Sequence, residues 1–153
     1  MSLILATGTN LGNKAENLTY AFKILSHEFE FIAASKIYTS KAIEYLNQPD
    51  FYNQVLEFKI PNQSPQKTIV RILEIEKELG RNREIPKGPR IIDIDIIFWD
   101  LESVDEENLT IPHPEWYKRS FVLEPLKELP YFQIIKNHFI IPSDLDNSAT
   151  SLE

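Results

Sequence analysis

The sequence predicts an α+β fold built on one antiparallel sheet. Three observations carry that prediction: short apolar runs of strand length, two stretches of helical periodicity, and an order in which two adjacent strands separate the helices. "SLILATGT" (2–9) is the first strand, ended by Gly8. Leu18, Ala21, Phe22 and Leu25 then repeat at i, i+3, i+4 and i+7, the pattern of an amphipathic helix. "FEFIAASKIYTS" and "DFYNQVLEFKI" are two further strands, joined by the polar connection "KAIEYLNQP", which is long enough to cover a ligand.

Ser64 followed by Pro65 marks the start of a second helix, and Gly80 its stop. Ile69, Ile72, Leu73 and Leu79 are expected on its apolar face. Glu76 falls on that face too, where a buried carboxylate needs a partner; an arginine of the following loop, Arg81 or Arg83, is the expected one. "IIDIDIIFW" is the next strand, and "YFQIIKNHFII" reads as a hairpin. Strand, helix, strand, strand, helix, strand is the ferredoxin-like, or split βαβ, order. The helices are expected on one face of the sheet, with additional C-terminal elements behind. Residues 1–142 are expected to form a single domain, and 143–153 a polar, loosely held tail.

Composition excludes several classes of function. The chain has no cysteine, which rules out disulfides, zinc–thiolate sites and cysteine catalysis. The N-terminal apolar run is far too short for a signal peptide or a membrane span, so a cytoplasmic location is expected, with no membrane partner. A net charge of −7 argues against general nucleic-acid binding, which depends on phosphate neutralisation by Lys and Arg. Yet Arg81, Arg83, Lys87 and Arg90 fall close together beside two aspartates. An acidic protein with one local basic patch suits a small polyanion.

The aspartate strand is the most informative stretch. On strict alternation Ile92, Ile94, Ile96 and Phe98 share one face, and Asp93 and Asp95 share the other with Ile91, Ile97 and Trp99. Adjacent carboxylates repel, so something cationic must compensate. Two carboxylates at i, i+2 with nearby arginines suit Mg²⁺ and a nucleotide triphosphate, because Mg²⁺ completes its shell with water and phosphate oxygens. Taken singly, each feature has a plainer explanation. Asp93 and Asp95 fit a solvated strand face or ion pairs with Arg90, Arg81 and Arg83 fit a solvated helix exit, and His113 fits a satisfied loop histidine. Their joint occurrence around one strand is the argument.

Four motifs then resemble one family, in its order and at its spacing: "GTNLG" (8–12), "QPDFYNQV" (48–55), "GPRIIDIDII" (88–97) and "LTIPHPEWYKRSFVLEPL" (109–126). The family is 6-hydroxymethyl-7,8-dihydropterin pyrophosphokinase, a transferase of folate biosynthesis. The resemblance implies a ferredoxin-like enzyme that moves the pyrophosphoryl group of ATP to the pterin hydroxymethyl group and releases AMP. It implies two Mg²⁺ ions on Asp93 and Asp95, with Arg90 as the catalytic arginine and Arg81 and Arg83 on a mobile catalytic loop reaching the nucleotide phosphates. His113 and Arg119 are similar to its phosphate-binding residues and Thr110 to one near the adenosine. Gly8, Ser40, Lys41, Ala42, Ile43, Phe51, Asn53 and Phe121 resemble its pterin site, with Asn53 reading the ring edge and Phe121 forming one side of a ring sandwich; Asn10 shares the first loop with Gly8. Its partners are then ATP and the pterin, and a monomer is expected.

The chain departs from the family pattern in "RNREIPKGPR", which is a residue shorter, with Lys87 where an aromatic often caps the pterin and Pro86 where a basic residue is usual. Two other readings compete. An RNA-binding module with an open sheet face would present Asp93 and Asp95 to phosphate, which repels it. An aspartate-nucleophile phosphatase would need a parallel, doubly wound sheet, against the paired central strands.

Overall fold

The computed structural model describes residues 1–41, 48–80, 91–143, 145 and 149–152. Its elements are β1 (Ser2–Thr9), α1 (Lys14–Glu28), β2 (Phe31–Ala34), β3 (Tyr38–Ser40), β4 (Phe51–Lys59), α2 (Pro65–Glu78), β5 (Asp93–Trp99), β6 (Val104–Glu106), β7 (Leu109–Ile111), α3 (Ser120–Leu126), α4 (Phe132–His138) and β8 (Thr150–Ser151). The fold is mixed α+β. Its main sheet runs β5-β1-β4-β3-β8, with β2 also on β4, and the pairings are antiparallel.

Local chemistry sets the helix ends. Asn13 caps α1 by accepting from the Glu16 amide at 3.1 Å, and Ser64 caps α2 by accepting from the Lys67 amide at 3.1 Å. Gly80 takes φ +94 just past α2, a conformation that side chains disfavour. Of the α2 residues expected to face the core, Ile72 and Glu76 are buried but Leu73 is 43% exposed; Ile75 is the inward residue instead.

Both faces of the sheet carry helices. Leu3, Leu5, Ile94 and Ile96 pack under α1 and α2 through Leu18, Ala21, Leu25, Ile72 and Ile75. Ile4, Val55, Ile97 and Phe98 pack under α3 and α4 through Val122, Leu123, Leu126 and Ile135. This corrects the expectation of helices on one face only.

It also corrects the expected sides of Phe98 and Trp99. Leu5 pairs with Ile96 but Ile4 with Phe98, leaving Ile97 as the extra residue of a bulge. The bulge reverses the alternation beyond it. Phe98 therefore joins Trp116 and Phe139 on the α3/α4 side, with ring centroids at 5.1 and 5.8 Å, while Trp99 joins the α1/α2 cluster.

Two C-terminal expectations change as well. The segment expected to form a hairpin is helix α4, which buries Ile135. Its isoleucines satisfy either period, and packing on the second cluster selects the helix. In the polar tail, Thr150–Ser151 extends the sheet against β3, with Tyr38 opposite Ser151.

The Ser2–Lys59–Trp99 end of the sheet is sealed by a polar staple. Glu57, 3% exposed, accepts from the Ser2 hydroxyl at 2.8 Å and from the Tyr131 amide at 3.1 Å. The Tyr131 hydroxyl in turn donates to Asp100 at 2.6 Å. Burial and that carboxylate hold the phenol pKa well above its usual range.

Candidate active site

The opposite end of the same strands is polar. Asp93 lies across from Gly8, Gly8 across from Asn53, and Asn53 across from Tyr38; one step along, Asp95 lies across from Ala6, and Ala6 across from Val55. Opposed residues of an antiparallel sheet share a face, so Asp93, Asp95, Gly8 and Asn53 stand together, on the α3/α4 side but beyond the helices' apolar contacts.

The small residues in these rows are part of the geometry. A Cβ on Gly8 would lie 3.2 Å from Asn53 Oδ1 and 3.7 Å from the Phe51 ring. Asn53, 6% exposed, donates through Nδ2 to the Ser40 hydroxyl at 2.7 Å, which leaves Oδ1 on the Gly8 side. Phe51 opens β4 opposite Ser40 and is half-buried. Lys41 is exposed, one residue past Ser40. Strand β3 is itself tied down: the Tyr38 hydroxyl and the Lys36 amide both donate to Glu128, and burial together with Glu128 raises the Tyr38 pKa.

Asn10, 1% exposed, continues the β1–β4 contact past the last backbone pair. Its Nδ2 donates to Gln48 Oε1 at 2.8 Å and to the Pro49 carbonyl at 3.0 Å. This link was only partly legible, since Asn10 and Gln48 sit in two separate motifs with nothing in the sequence to pair them.

Asp93 and Asp95 are half-buried on one face, and the residues opposite them on β1 are the small Gly8 and Ala6. Among the described residues no group of three His, Asp or Glu side chains converges. Two carboxylates at i, i+2 on one strand face are a donor set whose chemistry fits Mg²⁺ carrying water and phosphate oxygens.

Behind them stands Glu76 of α2, 2% exposed, whose Oε2 accepts from the Ile94 amide at 2.7 Å. The expected partners Arg81 and Arg83 lie outside the described residues, as do Arg90, Ala42, Ile43, Pro86 and Lys87. The backbone partner was not foreseen; its signal was a carboxylate on the apolar side of a helix.

The remaining predicted residues come from the segment after β7. The His113 amide donates to the carbonyl of Ile97, the bulge residue two positions past Asp95, at 2.9 Å. His113 Nδ1 accepts from the Glu115 amide at 3.1 Å, which assigns the proton of the neutral ring to Nε2. Arg119 precedes α3 with its guanidinium 5.6 Å from the centre of the Phe121 ring, and Phe121 and Ala6 pack against the same cluster. The register thus brings Asp93, Asp95, Gly8, Asn53, Ser40 and Phe51 to one end of the sheet, while His113 is tied to β5 at Ile97 and Arg119 and Phe121 lie together beside the second cluster. Thr110 is exposed on the separate β6–β7 ribbon, opposite Asp105.

No helix among the described residues is long and apolar enough to cross a membrane. The family model described as 7,8-dihydro-6-hydroxymethylpterin-pyrophosphokinase matches residues 4–131. The 2-amino-4-hydroxy-6-hydroxymethyldihydropteridine pyrophosphokinase of Bacillus subtilis is 36% identical over 128 residues, covering 82% of this chain and 75% of that protein. Its namesake in Haemophilus influenzae is 34% identical over 139 residues, covering 90% of this chain and 86% of that protein. The folic acid synthesis protein fol1 of Pneumocystis carinii is 35% identical, but this chain spans only 21% of its length.

Proposed function

We infer the function of this chain from one premise: it belongs to the 7,8-dihydro-6-hydroxymethylpterin-pyrophosphokinase family. It transfers the pyrophosphoryl group of ATP to the hydroxymethyl group of 6-hydroxymethyl-7,8-dihydropterin, releasing AMP, in folate biosynthesis. The observation that carries this reading is the row Asp93–Gly8–Asn53 on the polar end of the sheet, where two carboxylates adjoin an amide and aromatic rings.

Within the row the roles divide by chemistry. Asn53, oriented by Ser40, presents Oδ1 towards Gly8 and reads the polar edge of the pterin. Gly8 is bare so that a flat ring can approach the backbone, and Phe51 and Phe121 supply its apolar walls. Asp93 and Asp95 hold two Mg²⁺ ions, which when bound supply positive charge to the phosphate oxygens. His113 and Arg119 bind those oxygens from the far side, and Thr110 lies towards the adenosine. Arg81, Arg83 and Arg90, assigned by family resemblance, neutralise charge on the phosphates and the leaving group, and Lys41, Ala42 and Ile43 border the pterin. Holding both substrates in line lowers the barrier without a strong protein base.

The strand order β5-β1-β4-β3, with α1 and α2 on one face, supports reading the frame as ferredoxin-like. A single domain over 1–142, acting as a cytoplasmic monomer, completes the proposal; the acidic, cysteine-free composition supports it. The test is to incubate the protein with ATP, Mg²⁺ and the pterin. AMP that appears only when pterin is present is the expected result. ADP would overturn the pyrophosphoryl reading.

A further inference from the structure

Burying a carboxylate in the apolar interface between a helix and a sheet destabilises the fold unless its oxygens find donors. Glu76 is 2% exposed beside Thr68, Ile72 and Ile75 on the inward side of α2, where a leucine or methionine would fill the space without that penalty. What Glu76 adds is an acceptor. Its Oε2 takes the Ile94 amide at 2.7 Å, a hydrogen bond strengthened by the acceptor's charge.

Ile94 is the residue between Asp93 and Asp95, and its side chain lies in the α1/α2 cluster while theirs point to the other face. Among the described residues β5 is the end strand of the sheet, with no further strand on its outer side to take that amide. A peptide unit held at Ile94 sets the direction of both flanking Cα–Cβ bonds. We propose that Glu76 is a positioning residue for the reaction: by fixing the Ile94 amide it sets the spacing of the Asp93 and Asp95 carboxylates that receive Mg²⁺. The inference rests on the functional reading above for the metal, but the Glu76–Ile94 contact stands without it. Glu76 acts through Ile94 from the opposite face of the strand.

Glu76→Gln keeps chain length and an acceptor oxygen but removes the charge. Glu76→Asp keeps the charge but falls about 1.5 Å short. A positioning role therefore predicts that the neutral variant works and the charged one fails. The experiment measures the Mg²⁺ concentration for half-maximal AMP formation and the pterin KM, together with hydrogen exchange of the Ile94 amide in metal-free protein.

Glu76→Gln is expected within about twofold of wild type in Mg²⁺ requirement, and Glu76→Asp about tenfold or more above it, the usual cost of losing support behind a metal ligand. The pterin KM stays unchanged in both, and the Ile94 amide loses protection only in Glu76→Asp. The reverse order, with Asp active and Gln impaired, would overturn positioning in favour of charge. Equal Mg²⁺ requirements in all three proteins would overturn it too. If Glu76→Asp does not fold, Glu76→Gln decides alone: a Mg²⁺ requirement more than about twofold above wild type overturns the proposal, and one within that range supports it. A wild-type protein that makes no AMP would instead sink the functional reading, and the Ile94 amide would still decide the part played by Glu76.

Discussion

The two ends of the central sheet are made from the same strands and obey opposite rules. At the Ser2–Lys59–Trp99 end, buried Glu57 takes two donors, and Phe98, Trp116 and Phe139 pack against one another in edge and tilted contacts. At the Gly8–Asp93–Asn53 end the opposed residues are small or polar, and Asn53 Oδ1 faces Gly8. The Ile97 bulge lies between them on β5. If the proposed site is right, the chemistry lies at one end and the sealed core at the other, and each should change with little effect on the other.

Three substitutions would break or sharpen that division. Asp95→Ala has the largest expected effect. Removing one of the two proposed metal ligands should lower Mg²⁺-dependent AMP formation by on the order of a thousandfold, the rate equivalent of several kcal/mol of charge stabilisation. The thermal midpoint should hold or rise, because two adjacent carboxylates repel. An active Asp95→Ala enzyme would remove the metal assignment altogether.

Glu57→Ala is the mirror experiment. It strands the Ser2 hydroxyl and the Tyr131 amide inside the protein, and should cost about 3 kcal/mol in denaturant unfolding. The protein that remains folded should keep both KM values. A change in either KM would show that the two ends are coupled through the strands.

Gly8→Ala is the mildest change. Its methyl would press on Asn53 Oδ1 and stand where a flat ring approaches. We expect the pterin KM to rise about tenfold, equivalent to about 1.4 kcal/mol of binding, with the ATP KM and the melting temperature unmoved. If the ATP KM rose equally, the boundary between the two substrate sites would have to be redrawn.

How much could be read from the sequence follows the same division. β1, the two capped helices and the Asp93–Asp95 strand were legible because each depends on local signals: a strand-length apolar run, Ser64 followed by Pro65, and carboxylates alternating with isoleucine. The sides of Phe98 and Trp99 were not, because a bulge is a property of the pairing with β1 and leaves no mark in β5 alone. The helix at Phe132–His138 was missed for a related reason: its apolar residues suit a strand as well, and contact with the second cluster settles the matter. The sequence reads as one continuous strand over "FEFIAASKIYTS", whereas Ser35 interrupts it, its hydroxyl accepting from the Val55 amide, and β2 and β3 result. At the site, residue types were legible from motifs. The link from Glu76 to Ile94 was not, since it joins a helix to a strand that is brought beside it only by folding.

Seating the aspartates has a second consequence, for how the molecule behaves in a crowd. An end strand offers its outer row of amides and carbonyls to any passing chain, and that is how sheets grow into aggregates. On β5 the Ile94 amide is taken by Glu76, and the Ile97 carbonyl receives the His113 amide. The strand that carries Asp93 and Asp95 is thereby blunted against edge-to-edge association by the contacts that hold it in place. Loosening them to alter turnover would also lower the concentration at which the protein stays dispersed.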